Sequence, residues 1–260
     1  LLTDTHCHLD FRIFDGDRDQ VLARAEKYGV RRMLNPGINL ESSRAAVQLA
    51  VRCQPVYAAV GIHPNEHVQL GRETLRELRA LAAEPAVVAI GEIGLDYYHH
   101  MTPPGEQQRR FRAQLDLAAE LELPVIIHCR NAHADALGII SAWQASGGAK
   151  VNAGVFHSFG GDAVHAETAR ELGFYLGITG PVTFPTADGL RKIVAHMPED
   201  RLLIETDAPF LAPQPRRGKR NEPAHVRWVA EKIAAVRAAK TEAIAQASTE
   251  NANRLFAWDD

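Results

Sequence analysis

A chain of 260 residues, 46% hydrophobic and 23% charged, has the make-up of an ordinary soluble globular protein long enough to bury a full core. Its net charge of -3 excludes strong bulk attraction to a polyanion, so any nucleic-acid binding must rest on a local basic patch or on metal ions. Three scattered cysteines (Cys7, Cys53, Cys129) exclude a disulfide framework, and no apolar run approaches the roughly 18 residues of a membrane span. The start also lacks the basic and apolar regions of a secretory signal, so a cytosolic location is expected. With no internal repeat or low-complexity linker, residues 1–260 are expected to form one domain.

In chain order, short β-branched runs alternate with amphipathic stretches. Leu1 to Thr5 predicts a first strand and Asp19 to Tyr28 a helix; Val30 to Leu34 and Leu40 to Arg52 repeat the pair, as do Val56 to Val60 with Glu73 to Ala83. Val87 to Ile90 precedes a helix from Gly105 to Glu122, and Val125 to Ile127 one from Ala134 to Ala145. Gly154 to Phe156 leads to Ala163 to Leu172, Phe174 to Ile178 to Leu190 to His196, and Leu202 to Ile204 is the eighth strand. Ala224 to Ala239 and Glu242 to Phe256 then read as two closing helices, with Ser248 or Thr249 a cap for a final short one. Such alternation implies parallel strands with crossover helices, and eight units in this length predict a (β/α)8 TIM barrel closed by the C-terminal helices. The alternative, an open doubly wound sheet, should carry a Gly-rich turn after its first strand. Here that turn is His6-Cys7-His8-Leu9-Asp10, and neither GxGxxG nor GxxxxGK occurs anywhere.

In such a barrel the reactive groups stand at the C-terminal ends of the strands. His6 and His8, two apart, face the same way from an extended segment and can grip one metal ion. Further strands end at His63, Glu92, His128, His157 and Asp207. Four imidazoles and two carboxylates (His6, His8, His128, His157, Glu92, Asp207) suffice for two divalent ions of the zinc, manganese or magnesium kind, if Glu92 bridges them at a separation of about 3.5 to 4 Å. Taken singly, His128 or His157 is more often a hydrogen-bonded core histidine; their convergence with the others favours ligation. His63 either contacts substrate or caps the turn before Pro64. Asp4 and Glu205 share faces with His6 and Asp207, and either orients an imidazole or belongs to a polar barrel layer. His99, His100, His133, His165, His196 and His225 read as solvated surface histidines.

The chain resembles the TatD family of metal-dependent deoxyribonucleases within the amidohydrolase superfamily. The resemblance rests on residues 3–10 (TDTHCHLD), 61–64 (GIHP), 91–98 (GEIGLDYY), 123–130 (LPVIIHCR), 157–161 (HSFGG), 205–209 (ETDAP) and 217–223 (RGKRNEP). It implies that His6, His8, Glu92 and Asp207 hold a first metal and Glu92, His128 and His157 a second. One local departure is His99-His100-Met101-Thr102-Pro103-Pro104, where a less histidine-rich loop is expected.

Two ions at that spacing would activate a water and neutralise charge on a phosphoryl group, with Asp207 as general base or as ligand only. Arg216, Arg217, Lys219 and Arg220, beside Asn221, follow strand eight and would bring cations to the metal rim; a solvated basic loop is the plain alternative. Arg130 offers a fork for phosphate next to His128, and Tyr97 and Tyr98 either stack on bases or pack. The expected activity is DNA phosphodiester hydrolysis, with single-stranded or 3′ ends as the substrate class implied by the resemblance. Hydrolysis of a small amide, lactone or cyclic substrate is the alternative, and a non-catalytic metal-binding barrel the third reading.

Overall fold

The computed structural model describes residues 1–149 and 153–258. Eight parallel strands, β1 (Leu2–Asp4), β2 (Val30–Pro36), β3 (Val56–Val60), β4 (Val87–Asp96), β5 (Val125–Arg130), β6 (Gly154–Phe156), β7 (Phe174–Ile178) and β8 (Leu202–Ile204), pair in sequence order. Between them run α1 (Arg18–Lys27), α2 (Leu40–Arg52), α3 (Arg72–Ala82), α4 (Pro104–Glu120), α5 (His133–Ala145), α6 (Ala163–Glu171) and α7 (Asp188–His196); α8 (Val226–Arg237) and α9 (Thr241–Phe256) follow. Closure comes from backbone bonds between the segments after β1 and β8. Thr5 N donates to Ile204 O at 3.3 Å, Asp207 N to His6 O at 2.8 Å and His8 N to Ala208 O at 2.7 Å. The barrel expectation therefore holds, and the open sheet is excluded.

Period-two alternation decides what lies inside. Leu34, Ala59, Ala89, Ile126, Val155, Tyr175 and Leu203, from seven successive strands, form one buried cluster, and Leu255 and Phe256 at the end of α9, with Trp258 just beyond it, belong to the same cluster. Two residues further on, past Ile126, Val155 and Leu203, come His128, His157 and Glu205. The apolar layer is thus a floor on which the polar site stands. Gly177 makes room for it, since a Cβ there would lie 2.3 Å from Glu205 Oε2. Strand residues of opposite parity join the helices in the larger outer core, where Cys7, between His6 and His8, is fully buried.

Several predicted boundaries shift, with β2 reaching Pro36, β5 reaching Arg130 and β4 extending furthest. β4 runs on to Asp96 rather than stopping at Ile90, because Ile93 to Asp96 keep their register with Ile127 to Arg130. Gly91 and Gly94 hide this continuation, as glycine weakens a strand signal. Gly94 has φ +137°, and a Cβ there would meet His128 O at 2.0 Å. Neither Ser248 nor Thr249 starts a new helix: α9 is continuous, and these hydroxyls serve the barrel, Ser248 Oγ accepting from Ile204 N at 3.0 Å and Thr249 bonding Thr3 at 3.2 Å. Among the described residues no helix is long and apolar enough to cross a membrane.

Candidate metal centre

The extended segment after β1 is held between Leu34 O, which accepts from Cys7 N at 2.9 Å, and the chain after β8. This sends the His6 and His8 rings into the barrel mouth. Their Nε2 atoms stand 3.3 Å apart, at 3.4 and 3.7 Å from Glu92 Oε2 and at 3.9 and 3.5 Å from Asp207 Oδ1. Four nitrogen and oxygen ligands arranged tetrahedrally about one ion would lie roughly 3.3 to 3.6 Å from one another, so this donor set fits a divalent cation. The Nδ1 atoms of both rings are buried with no hydrogen-bond partner among the described residues.

The other oxygen of Glu92 faces a second group. Glu92 Oε1 lies 2.9 Å from His128 Nδ1 and 3.4 Å from His157 Nε2. Each of these rings is oriented by a carboxylate on its far nitrogen: Asp96 Oδ2 is 3.0 Å from His128 Nε2, and Glu205 Oε1 is 3.1 Å from His157 Nδ1. A carboxylate behind the ring fixes which nitrogen carries the proton and leaves the other lone pair facing inward. Glu205 also accepts from Ser158 N at 2.5 Å and from the Thr5 hydroxyl at 3.3 Å. Asp96 is fully buried and receives, besides His128, His99 Nδ1 at 2.7 Å, Asn65 Nδ2 at 2.9 Å and the backbone N–H groups of Tyr98 and His99. Asp96 escapes a reading by strand ends, yet it shares the face of Glu92 by the same period-two rule, four residues on.

The other expected positions divide. Asp4 orients no imidazole: its oxygens accept from Thr206 N at 2.8 Å and the Thr206 hydroxyl at 2.5 Å, stitching β1 to the chain after β8. Burial pushes its carboxyl up to about 8, with the Thr206 bonds acting against that. His63 reaches the site, its Nε2 3.7 Å from Glu92 Oε1, while Nδ1 accepts from Asn65 N at 3.1 Å. That bond places the proton of the neutral ring on Nε2, which makes His63 a hydrogen-bond donor toward the centre and not a lone-pair ligand. Arg130 lines the cleft with its guanidinium 3.9 Å over the Tyr98 ring, whereas Tyr97 donates its hydroxyl to Asp135 at 2.8 Å.

The basic loop is placed differently from expectation. Arg220 forks onto Asp17 at 2.8 and 2.6 Å, and Asn221 is fully buried, its Nδ2 bonding Thr206 O at 2.9 Å and Phe210 O at 2.7 Å. Arg217 lies 3.9 Å over the Phe184 ring, and none of Arg217, Lys219, Arg220 and Asn221 lines the metal cleft. Their charges and amides are used within the fold or on its outer rim. Of the histidines read as surface, His225 is buried against Asn221, and His99 and His133 line the cleft.

Electrostatics follow from the burial of opposite charges. Glu92 is held well below the usual carboxylate range: burial would raise it, but His157, His6 and the His128 bond outweigh that. The same balance, with His8 as donor, lowers Asp207. Burial works against a charged His157, yet Glu92, Glu205 and Asp207 push it up to about 10. Burial and the neighbouring His128 push His63 down to about 3, so it is neutral near pH 7. These groups line an open cleft of about 800 Å³ at the C-terminal face of the barrel. A larger groove, about 840 Å³, is lined by α6 and α7 and shares Ser158, Gly160 and Pro181 with the cleft, but none of the six expected ligands lines it.

The family described as TatD related DNase matches residues 3–257. The chain is 42% identical over 256 residues, covering 98% of itself and 99% of the relative, to an uncharacterized metal-dependent hydrolase, YabD, of Bacillus subtilis. It is 41% identical over 248 residues, 94% of this chain and 93% of the relative, to the 3′-5′ ssDNA/RNA exonuclease TatD of Cronobacter sakazakii. Among solved structures, the TatD homolog YJJV of Escherichia coli superposes with a TM-score of 0.92 at 33% identity, over 99% of this chain and 98% of that one. A fold, a cleft and a sequence likeness that agree from end to end place this chain in the TatD-related DNase family.

Proposed function

We propose that the protein is a nuclease that uses two divalent ions to remove nucleotides from the 3′ end of single strands. The observation that carries this reading is the double use of Glu92, whose Oε2 faces His6 and His8 while Oε1 faces His128 and His157. In this reading Glu92 is shared, His6, His8 and Asp207 complete one ligand set and His128 and His157 the other. Two ions so held would supply the positive charge that makes water nucleophilic and neutralises phosphoryl oxygens. Asp207, ionised and partly open to the cleft, takes up the proton of the attacking water. His63 donates Nε2–H to a phosphoryl oxygen, and Arg130 holds the phosphate of the next nucleotide by its fork. The single-strand and 3′ preferences rest on the activity for which the Cronobacter relative is named.

The test supplies Zn, Mn or Mg in turn and follows cleavage of a 5′-labelled single strand, a blunt duplex, and a panel of amides and lactones. A ladder shortening from the 3′ end of the single strand is expected, with Glu92→Gln slowing it at least a hundredfold and lowering bound metal below two per chain. Turnover of amides or lactones with intact DNA would replace this reading by the small-substrate hydrolase.

A further inference from the structure

A second cavity of about 500 Å³ adjoins the metal cleft, and the two share Phe11, Ile38 and Phe210. Phe11 stacks on the His8 ring at a centroid distance of 4.7 Å and an interplanar angle of 21°, and Phe210 stands edge-on to Phe11 at 6.0 Å and 77°. An aromatic pair therefore begins at a ring of the metal centre and leads out of it. Phe210 is 51% exposed, a large apolar area left to water at the edge of a polar site. Its position is nevertheless firm: Phe210 N donates to Asp207 O at 2.8 Å, and the buried Asn221 amide holds Phe210 O.

We propose that this side cavity receives the base of the substrate's 3′-terminal nucleotide, stacked on Phe210. The inference rests on the nuclease reading and deepens it. A nucleobase has two apolar faces and polar edges, and it stacks on an exposed aromatic ring whatever its identity. The cavity offers that surface within reach of the metal centre, and its carboxylates, Asp10 and Glu41, outnumber its one cation, Arg12, so it is no track for successive phosphates. The opposite wall, with Arg130 over the half-exposed Tyr98, carries the cation that upstream phosphate needs. The strand thus crosses the metals with its end toward Phe210 and its body toward Arg130.

The experiment compares kcat/KM for 3′-end removal from a single strand with a normal terminal nucleotide and from the same strand ending in an abasic tetrahydrofuran residue. The enzyme is about tenfold slower on the abasic end if the base stacks. Phe210→Ala slows the normal strand by a similar factor and leaves the abasic end unchanged, and Phe210→Tyr restores the normal rate. Equal wild-type rates on the two strands overturn the pocket alone, as does an equal effect of Phe210→Ala on both. If the metal-loaded wild type cuts neither strand, the nuclease reading fails and the pocket falls with it.

Discussion

Asp96 shows how a single carboxylate can decide the state of a site without facing its centre. It takes hydrogen bonds from His128, His99 and Asn65 on one oxygen and from two backbone N–H groups on the other. Burial would raise its pKa, but the His128 and His99 bonds hold it far below the usual range, so it stays ionised. In Asp96→Asn an amide NH2 replaces one acceptor oxygen, and one set of donors loses its partner. The His128 lone pair is then no longer fixed toward Glu92. We expect metal affinity to fall 10- to 100-fold while the fold survives. Titrating activity against metal concentration reads this directly; an unshifted midpoint would remove Asp96 from the positioning of His128.

The turn after β8 carries both Asp207 and Phe210, and its shape depends on one buried amide. Asp207 has a left-handed φ of +56°, a conformation that a non-glycine residue holds only when its surroundings impose it. Asn221 imposes it by bonding Thr206 O and Phe210 O, while its own Oδ1 accepts from Glu222 N at 3.0 Å and pairs with His225 at 2.9 Å. Asn221→Ala leaves two buried carbonyls without those donors. A loss of about 3 kcal/mol in urea unfolding is expected, with activity lowered as Asp207 loosens; unchanged stability would show that other contacts set this turn. The amide belongs to the motif that the family resemblance singled out, but its work is to shape the turn from beneath. A run of basic and amide residues in sequence does not say which members face solvent, and here Arg220 and Asn221 face inward partners.

At the scale of the molecule, the barrel gathers nitrogens of five histidines, His6, His8, His63, His128 and His157, within 3.7 Å of Glu92, and the protons of this cluster are coupled to any cation it binds. His157 is held up to about 10 by Glu92, Glu205 and Asp207 against the effect of burial, so it carries a proton at pH 7. A metal needs the neutral ring, so binding near pH 7 expels that proton. Metal affinity should therefore rise with pH from 7 toward 10 and level off above it, with about one proton or more released per chain. Calorimetry in two buffers of different ionisation heat counts the protons; a count of zero contradicts the assignment of His157 as a ligand. The sign for the metal-free protein is the reverse. A raised histidine pKa contributes stability that is complete below the unfolded value near 6.5 and is lost as pH rises through about 10.

Alternating strand and helix periods determined a parallel sheet with crossover helices, and eight units without a Gly-rich first turn favoured the closed barrel over an open sheet; the bonds between the chain after β1 and that after β8 decided closure. The polar residue at each strand end likewise named His6, His8, Glu92, His128, His157 and Asp207 for the mouth, since strand direction alone sends these ends to one face. What only the tertiary structure decided is where second partners fall. Asp96 behind His128, Glu205 rather than Asp4 behind an imidazole, His225 under Asn221 and Phe210 beside His8 are pairings across strands and loops. They depend on register, closure and side-chain burial, which no local pattern in the chain encodes.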